Sequence, residues 1–306
     1  MLSIVIPVYN EIKNIDFVLK EIYSSIDEKD QYEIIFVDDH SEDNTYLHIR
    51  DINKVNKNVK ILRLSKRSGS HVAVKAGIDS SSGDKVLVIA GDGQEDPKLI
   101  NEMSSKISNG ADIVWGVREK RSEPIISRFV TKFFYRGLIK FTKQSISYSV
   151  DISNADFYMI GKKVIDAVKE VSLNNSSLFG LLAWIGFTQE SVTYQRRERK
   201  SGLTKWGVKR KFGLAVDWYI AFSPSPTRFI IYTAITIAIL ALAYASLIII
   251  NYFEGSRVEG WASIAVMMLF FNSLIVLILG INSEYMWRTY VNTSSLPSYT
   301  IEDKIL

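Results

Sequence analysis

The chain has 306 residues, enough for one large domain or two modest ones. It has no cysteine, which excludes disulfides, thiolate metal sites and a cysteine nucleophile, and its three histidines (His40, His48 and His71) lack the spacing of a zinc site. With 47% hydrophobic residues and a net charge of only +4, the placement of apolar and charged residues says more than their totals.

Taken in order, residues 2–8 are an apolar run followed by Tyr9-Asn10-Glu11, which predicts a strand and a loop. No basic n-region or long apolar h-region opens the chain, so no signal peptide is expected and the first domain is placed in the cytoplasm. Asn14 is the expected cap of a helix carrying Ile15, Val18, Leu19, Ile22 and Ile26 at helical spacing. Residues 33–37 read as a second strand ending in Asp38-Asp39-His40-Ser41. A polar helix from about Asp43 follows, with Leu47 and Ile52 on its inner face. A third strand (59–64), a turn (66–70) and a helix (72–78) lead to a fourth strand at 85–89. That strand runs into Ala90-Gly91-Asp92-Gly93-Gln94-Glu95-Asp96-Pro97. A helix bearing Leu99, Ile100, Met103 and Ile107 comes next, then a strand at 112–117.

Strands alternating with helices predict βαβ units and a mostly parallel sheet. Right-handed crossovers then put the strands' carboxyl ends on one edge, where ligands bind in such sheets. Glu11, Asp39 and Asp92 each lie just past a strand end, so all three are expected to face one cleft. The opposing reading is that each is an ordinary acidic loop residue, Asp96-Pro97 simply starting the next helix. The chain has no G-x-x-x-x-G-K-[ST] and no G-x-G-x-x-G after its first strand. Phosphates would then have to be neutralised by a metal and by Arg or Lys side chains.

From Trp115 onward the chain turns basic and aromatic, with Arg118, Lys120, Arg121 and Arg128 ahead of Phe129, Phe133, Phe134 and Tyr135 on an amphipathic helix. Asn154-Ala155-Asp156-Phe157-Tyr158 reads as a loop entering a strand, and residues 176–186 as a helix under the sheet. Residues 195–211 hold eight basic residues against one acidic residue, Glu198. No nucleic-acid-binding module is recognisable there. Anionic lipid, worth about 1 kcal/mol per basic residue, explains the run better.

Residues 229–253 and 261–281 contain no charged residue, and each exceeds the roughly 20 residues needed to cross a bilayer. A buried helical pair in a soluble core is the alternative. The connecting loop is net acidic, while Arg228 and Arg288 flank the pair. The positive-inside rule therefore places both ends in the cytoplasm. The expected organisation is a domain over 1–208, a juxtamembrane amphipathic helix over 209–227, two membrane helices within 228–282, and a cytoplasmic tail over 283–306.

Several short motifs in this order resemble glycosyltransferase family 2. They are Ile4-Val5-Ile6-Pro7-Val8-Tyr9-Asn10-Glu11, Val37-Asp38-Asp39-His40-Ser41, Ala76-Gly77-Ile78 and Asp92-Gly93-Gln94-Glu95-Asp96-Pro97. The tail Gly280-Ile281-Asn282-Ser283-Glu284-Tyr285-Met286-Trp287-Arg288 resembles a narrower group, the polyprenyl-phosphate glycosyltransferases. The resemblance implies a GT-A fold and inverting transfer of a monosaccharide from a nucleotide sugar, a UDP-sugar for preference, to a polyprenyl phosphate at the inner membrane. Pro7, Tyr9, Glu11 and Asp39 would contact the nucleoside. Asp92 would bind Mg²⁺ or Mn²⁺, with Gln94 beside it. Arg118, Arg128, Arg199 and Lys205 would hold the acceptor phosphate. Asp156 would be the further catalytic carboxylate, orienting a sugar hydroxyl or an arginine. The chain departs from the family at Ala90, where an Asp-x-Asp motif has its first Asp, at Lys66-Arg67-Ser68-Gly69 and at Ala155-Asp156-Phe157-Tyr158. A polysaccharide synthase and a non-catalytic nucleotide-sugar-binding membrane scaffold stay open as alternatives. A homo-oligomer would give two bare helices per chain their partners.

Overall fold

The computed structural model describes residues 1–27, 31–119, 155–171, 178–195, 197, 260–294 and 297–306, with scattered positions between 232 and 250. Arg128, Arg199, Lys205, the aromatic helix at 129–136 and the juxtamembrane segment 209–227 lie outside the described residues.

Strands β1 (Leu2–Val8), β2 (Tyr32–Asp38), β3 (Val59–Leu64) and β4 (Lys85–Val88) alternate with helices α1 (Ile12–Tyr23), α2 (Thr45–Val55) and α3 (Ser70–Asp79). Helix α4 (Ile100–Ser108), β5 (Ile113–Arg118), β6 (Ala155–Gly161), α5 (Lys162–Glu170), α6 (Leu178–Trp184) and β7 (Gln189–Tyr194) follow. A long helix α7 (Trp261–Thr293) and a last strand β8 (Ile301–Ile305) complete the order. The strands form one sheet, β7-β5-β6-β4-β1-β2-β3-β8. The pairs β4–β1, β1–β2, β2–β3 and β5–β7 are parallel. Strand β6 is antiparallel to both its neighbours, and β8 is antiparallel to β3. One edge of the sheet therefore carries the carboxyl ends of β1 to β5 and β7 together with the amino ends of β6 and β8.

The central strands are buried on both faces, as their unbroken apolar runs require. Ile4, Ile6 and Val8 of β1, with Ile34 and Phe36 of β2, pack beneath Ile15, Val18, Leu19 and Ile22 of α1, Ile49 of α2 and Met103 of α4. Val5, Ile35 and Val37 face the other way, against Ala73, Ala76 and Ile78 of α3, Val164 and Val168 of α5 and Leu182 of α6. Gly77 lets α3 lie directly on the sheet, since a Cβ there would collide with Val5.

Two helices differ in phase from the sequence reading. Helix α1 begins at Ile12 with Glu11 as its N-cap residue, so Asn14 is buried inside the first turn instead of capping it. In α2 the inner positions are Thr45, Tyr46, Ile49 and Asn53, while Leu47 is exposed. Ile52 packs against the core as expected, but a polar helix with few apolar residues gives a weak periodic signal, and Leu47 falls on the outer face.

The chain divides into two compact units, residues 1–219 with 297–306, and residues 220–296. In the second, 270–291 is long and apolar enough to cross a membrane, and none of its described positions is buried in a protein core. The positions described between 232 and 250 are helical. The expected two-helix hairpin reduces, among the described residues, to this one candidate span. The tail expected from 283 onward continues α7 as far as Thr293. It then supplies β8, which joins the sheet 237 residues after β3 ends at Leu64.

Candidate active site

The carboxyl edge is built first by the loop after β1. Asn10 takes a left-handed backbone (φ 53°), a conformation that costs a non-glycine residue about 1–2 kcal/mol and that Asn tolerates better than most. Its backbone N–H donates to Ser41 Oγ at 2.9 Å, and its side-chain oxygen accepts the Glu42 N–H at 2.9 Å. Glu11 follows, its N–H donating to Thr45 Oγ1 at 3.0 Å and its carboxylate accepting the Asn14 amide at 2.6 Å. The β1 and β2 loops thus hold each other through side chains.

After β2, Asp38 is fully buried and accepts the Ser41 N–H, and burial pushes its carboxyl above the ordinary range. Asp39 accepts the N–H groups of Ser68 (2.6 Å) and Gly69 (2.9 Å), so it closes the loop after β3 onto the end of β2. That loop also delivers Arg67, whose guanidinium lies 4.0 Å from the centre of the Tyr9 ring. Tyr9, Glu11 and Asp39 are therefore brought together, with Pro7 on β1 just below them. Arg67 is a cation that the sequence reading treated only as a departure from the family pattern.

The Asp92 turn lies beside this cluster. Strand β4 pairs with β1, and a Cβ on Gly91 would come within 2.7 Å of Val8, so the turn lies against the end of β1. Gly93 has a left-handed backbone (φ 72°) that closes the turn, and Asp92 Oδ1 accepts the Gln94 N–H at 3.2 Å. The main chains of Gln94 and Arg197 are joined by Arg197 N–H to Gln94 O at 3.1 Å, and the Gln94 side-chain amide donates to the Arg197 carbonyl at 3.3 Å. The Arg197 guanidinium bridges Asp96 (2.9 Å) and Glu21. Arg197 is therefore fastened to the Asp92 turn. Sequence spacing could not reveal this link, because it joins positions about a hundred residues apart.

A third cluster comes from the adjacent strands β5, β6 and β7. Arg118 at the end of β5 donates to Asp156 Oδ1 at 2.6 Å, and its Nε faces the other carboxylate oxygen. Tyr194 at the end of β7 donates its hydroxyl to Asp156 Oδ2 at 2.5 Å. Burial, and then the Asp156 carboxylate, hold the Tyr194 phenol far above its ordinary value, so it stays a donor. The buried Glu95 adds negative charge near the same phenol. Tyr194, Glu95 and Arg197 were not singled out in the sequence. The strand order β7-β5-β6 is what brings Tyr194 beside Asp156.

Of the predicted site residues, Asp92 is the carboxylate that could hold a divalent cation. No cluster of three His, Cys, Asp or Glu groups capable of holding a metal occurs among the described residues. One hard carboxylate suits Mg²⁺ or Mn²⁺, since Mg²⁺ is commonly held by one or two carboxylates plus substrate phosphates. The donor set fits a metal that arrives with a diphosphate better than one caged by protein alone.

Residues 3–168 match the family described as glycosyl transferase family 2. The chain belongs to glycosyltransferase family 2. It is 34% identical over 99% of its length to an uncharacterised glycosyltransferase of Synechocystis, covering 95% of that relative. It is 29% identical to a prophage bactoprenol glucosyl transferase homolog of Escherichia coli, with 98% of each chain covered. Among solved structures, glucosyl-3-phosphoglycerate synthase from Mycobacterium tuberculosis, crystallised with Mn²⁺, UDP and glucosyl-3-phosphoglycerate, aligns with a TM-score of 0.50 at 18% identity. That alignment covers 72% of this chain and 80% of the other. The sheet is thus the GT-A-like α/β architecture of family 2, and the protein is a glycosyltransferase.

Proposed function

We propose that this family 2 glycosyltransferase moves a monosaccharide, with inversion, from a UDP-sugar to a polyprenyl phosphate at the inner face of the cytoplasmic membrane, to which its apolar C-terminal helices anchor it. The observation that carries this reading is the Arg118–Asp156–Tyr194 cluster on the same sheet edge as Asp92, Asp39 and Glu11. A held cation on that edge supports a site that must accommodate two anionic substrates. The whole-length similarity to bactoprenol glucosyl transferases supports the lipid acceptor, and the UDP-bound structural relative supports the fold that receives such a donor.

Elementary charge chemistry fits this assignment. A phosphate monoester has a second pKa near 6, so the acceptor is largely dianionic at neutral pH. Such a nucleophile needs no general base. Its difficulty is repulsion by the donor's diphosphate. A guanidinium has five N–H donors, so Arg118 held from one side by Asp156 keeps donors for a phosphate. In this reading Arg128, Arg199 and Lys205 add to that cation set. Asp156, engaged by Arg118 and Tyr194, positions the arginine and removes no proton. Pro7, Tyr9, Glu11 and Asp39 receive the nucleoside, and Arg67 over Tyr9 extends that wall. Asp92, with the Gln94 amide oxygen, would hold Mg²⁺ or Mn²⁺, which when bound stabilises charge on the departing nucleoside diphosphate. The residues themselves contribute positioning and charge neutralisation.

The test is to incubate the full-length protein with undecaprenyl phosphate and a panel of nucleotide sugars, with Mg²⁺, Mn²⁺ or EDTA. A lipid-linked monosaccharide, lost in EDTA, is the expected product. A growing glycan would mark a polysaccharide synthase. Donor binding with no transfer would mark a scaffold.

A further inference from the structure

We infer that the C-terminal strand β8 is a working part of the donor site, and that Glu302 is a positioning residue for the loop carrying Asp39. The inference rests on the donor reading proposed above and adds a residue to it.

Strand β8 enters the sheet antiparallel to β3, so its first residues arrive at the carboxyl edge. Arg63 pairs with Asp303, and Leu64 with Ile301. The register therefore slips by one residue, and Glu302 is the extra residue of a β-bulge. Bulges re-aim side chains and concentrate beside active sites. Here the bulge sends the Glu302 carboxylate to Arg63 Nε at 3.2 Å and to His40 Nδ1 at 3.4 Å. Both contacts lead into the donor loop. Arg63 Nε also faces the buried carboxylate of Asp38 at 3.6 Å. His40 has a left-handed backbone (φ 60°), directly after Asp39, and its Nδ1 also lies 3.1 Å from the Leu64 carbonyl.

Further contacts fix the strand in place. Tyr46 donates its hydroxyl to Asp303 while its ring lies under Arg63, the guanidinium carbon 4.9 Å from the ring centre. Tyr299 donates to Asp79 at 2.8 Å, and the Ser65 N–H donates to the Thr300 carbonyl at 2.9 Å. Glu302 is about half exposed, and such ion pairs add little to global stability. Its effect is local: it holds a strained turn and an arginine against the backbone that aims Asp39. Nothing in this contact set touches Arg118 or Asp156, so the effect should fall on the donor alone.

The experiment compares full-length wild type, Glu302→Ala, Glu302→Gln and Lys304→Ala in detergent. It measures kcat, KM for donor and for undecaprenyl phosphate, and UDP and GDP affinity by calorimetry. Glu302→Ala is expected to raise donor KM and weaken UDP binding by roughly three- to tenfold, the loss of one charge-assisted contact. Its kcat at saturating donor and its acceptor KM should stay within about twofold of wild type. Glu302→Gln keeps an acceptor oxygen and should fall between, and it carries the test should the alanine variant fail to fold. Lys304→Ala, exposed on the same strand, should match wild type. Unchanged donor KM and UDP affinity in the Glu302 variants would overturn the inference, as would equal losses in kcat or acceptor KM. A wild type that binds neither UDP nor GDP overturns the donor reading itself and this inference with it. A wild type that binds UDP beside unaffected variants sinks the inference alone.

Discussion

Strand β2 buries a carboxylate at each end, and the two are treated in opposite ways. At the amino end Glu33, 2% exposed, accepts Ser3 Oγ at 2.5 Å, the Ser82 N–H at 2.7 Å and the Lys60 ammonium at 2.7 Å. Burial works against its charge, but these donors outweigh it and hold the carboxyl below the ordinary range. At the carboxyl end Asp38 is equally buried, yet among the described residues it has only Ser41 within hydrogen-bond distance and Arg63 at 3.6 Å. Burial wins there and its carboxyl is pushed up. The same strand thus has at one end a satisfied carboxylate that ties β1, β3 and the loop before β4 together, and at the other a poorly compensated carboxyl group beneath the proposed donor loop. The satisfied carboxylate lies at the amino edge of the sheet, and the left-handed turns at Asn10 and His40 lie at the other, where the donor site is proposed.

That contrast predicts a split between activity and stability. The largest effect is expected from Asp92→Ala at the carboxyl edge. Turnover should fall roughly 100- to 1,000-fold if Asp92 stabilises charge on the leaving group, with the unfolding midpoint nearly unchanged. Undiminished transfer by that variant would remove Asp92 from the chemistry. Asp156→Asn comes next. Freed from its carboxylate, Arg118 should lose its fixed aim and activity should drop by about 10- to 100-fold, the cost of misplacing a positioned group. The pH–rate profile of the remaining activity should keep its shape, because no base has been removed. Loss of a limb from that profile would restore Asp156 as a proton acceptor.

The contrast also shows which parts of the molecule the sequence makes legible. The first five strands and the strand-end carboxylates could be read directly. Their sequences are dominated by apolar residues, and each motif lies at a strand end. Strand β8 could not. Ile301-Glu302-Asp303-Lys304-Ile305 has three charged residues and no apolar alternation, and its partner is β3, early in the chain. It is an outer strand, where charge is tolerated and serves to discourage pairing with other chains. The Arg118–Asp156–Tyr194 cluster was half legible. Both charged residues were candidates, but their contact depends on β6 being antiparallel between β4 and β5, which local periodicity does not encode. Glu33 reads from the sequence only as the first residue of a strand, since a single charged residue there looks like a solvent-facing end.

At the amino edge, Glu33→Gln should destabilise by about 1–3 kcal/mol, because the amide cannot satisfy both the Lys60 ammonium and the Ser82 N–H. Turnover per folded molecule should be unchanged. The pH dependence follows from the lowered carboxyl. Its stabilisation is complete above the ordinary value of about 4.3 and is lost as the pH falls through its lower folded value. Urea midpoints measured from pH 6 down to pH 3 should therefore fall less steeply for Glu33→Gln than for wild type. Identical slopes would mean that Glu33 is not the group that links folding to acid.

The smallest effect, and the sharpest contrast, is expected from Asp38→Asn. The side-chain oxygen of Asn can still accept the Ser41 N–H, while the buried charge disappears and Arg63 keeps Glu302. A carboxyl raised in the folded state favours folding in its protonated form. That contribution is present below the ordinary value of about 3.9 and declines as the pH rises through the higher folded value. The amide is neutral throughout, so Asp38→Asn should match wild type at pH 4 and equal or exceed it at pH 7, by up to about 1 kcal/mol. A variant less stable than wild type at pH 7 by as much as Glu33→Gln would show that Arg63 compensates Asp38 as fully as Lys60 compensates Glu33. The two ends of β2 would then be alike, and the retention of an ionised Asp38 would need no explanation in donor binding. If the variant is as stable as wild type but binds UDP more weakly, the charge is kept for the ligand's sake, through its hold on Arg63 and on the loop of Asp39.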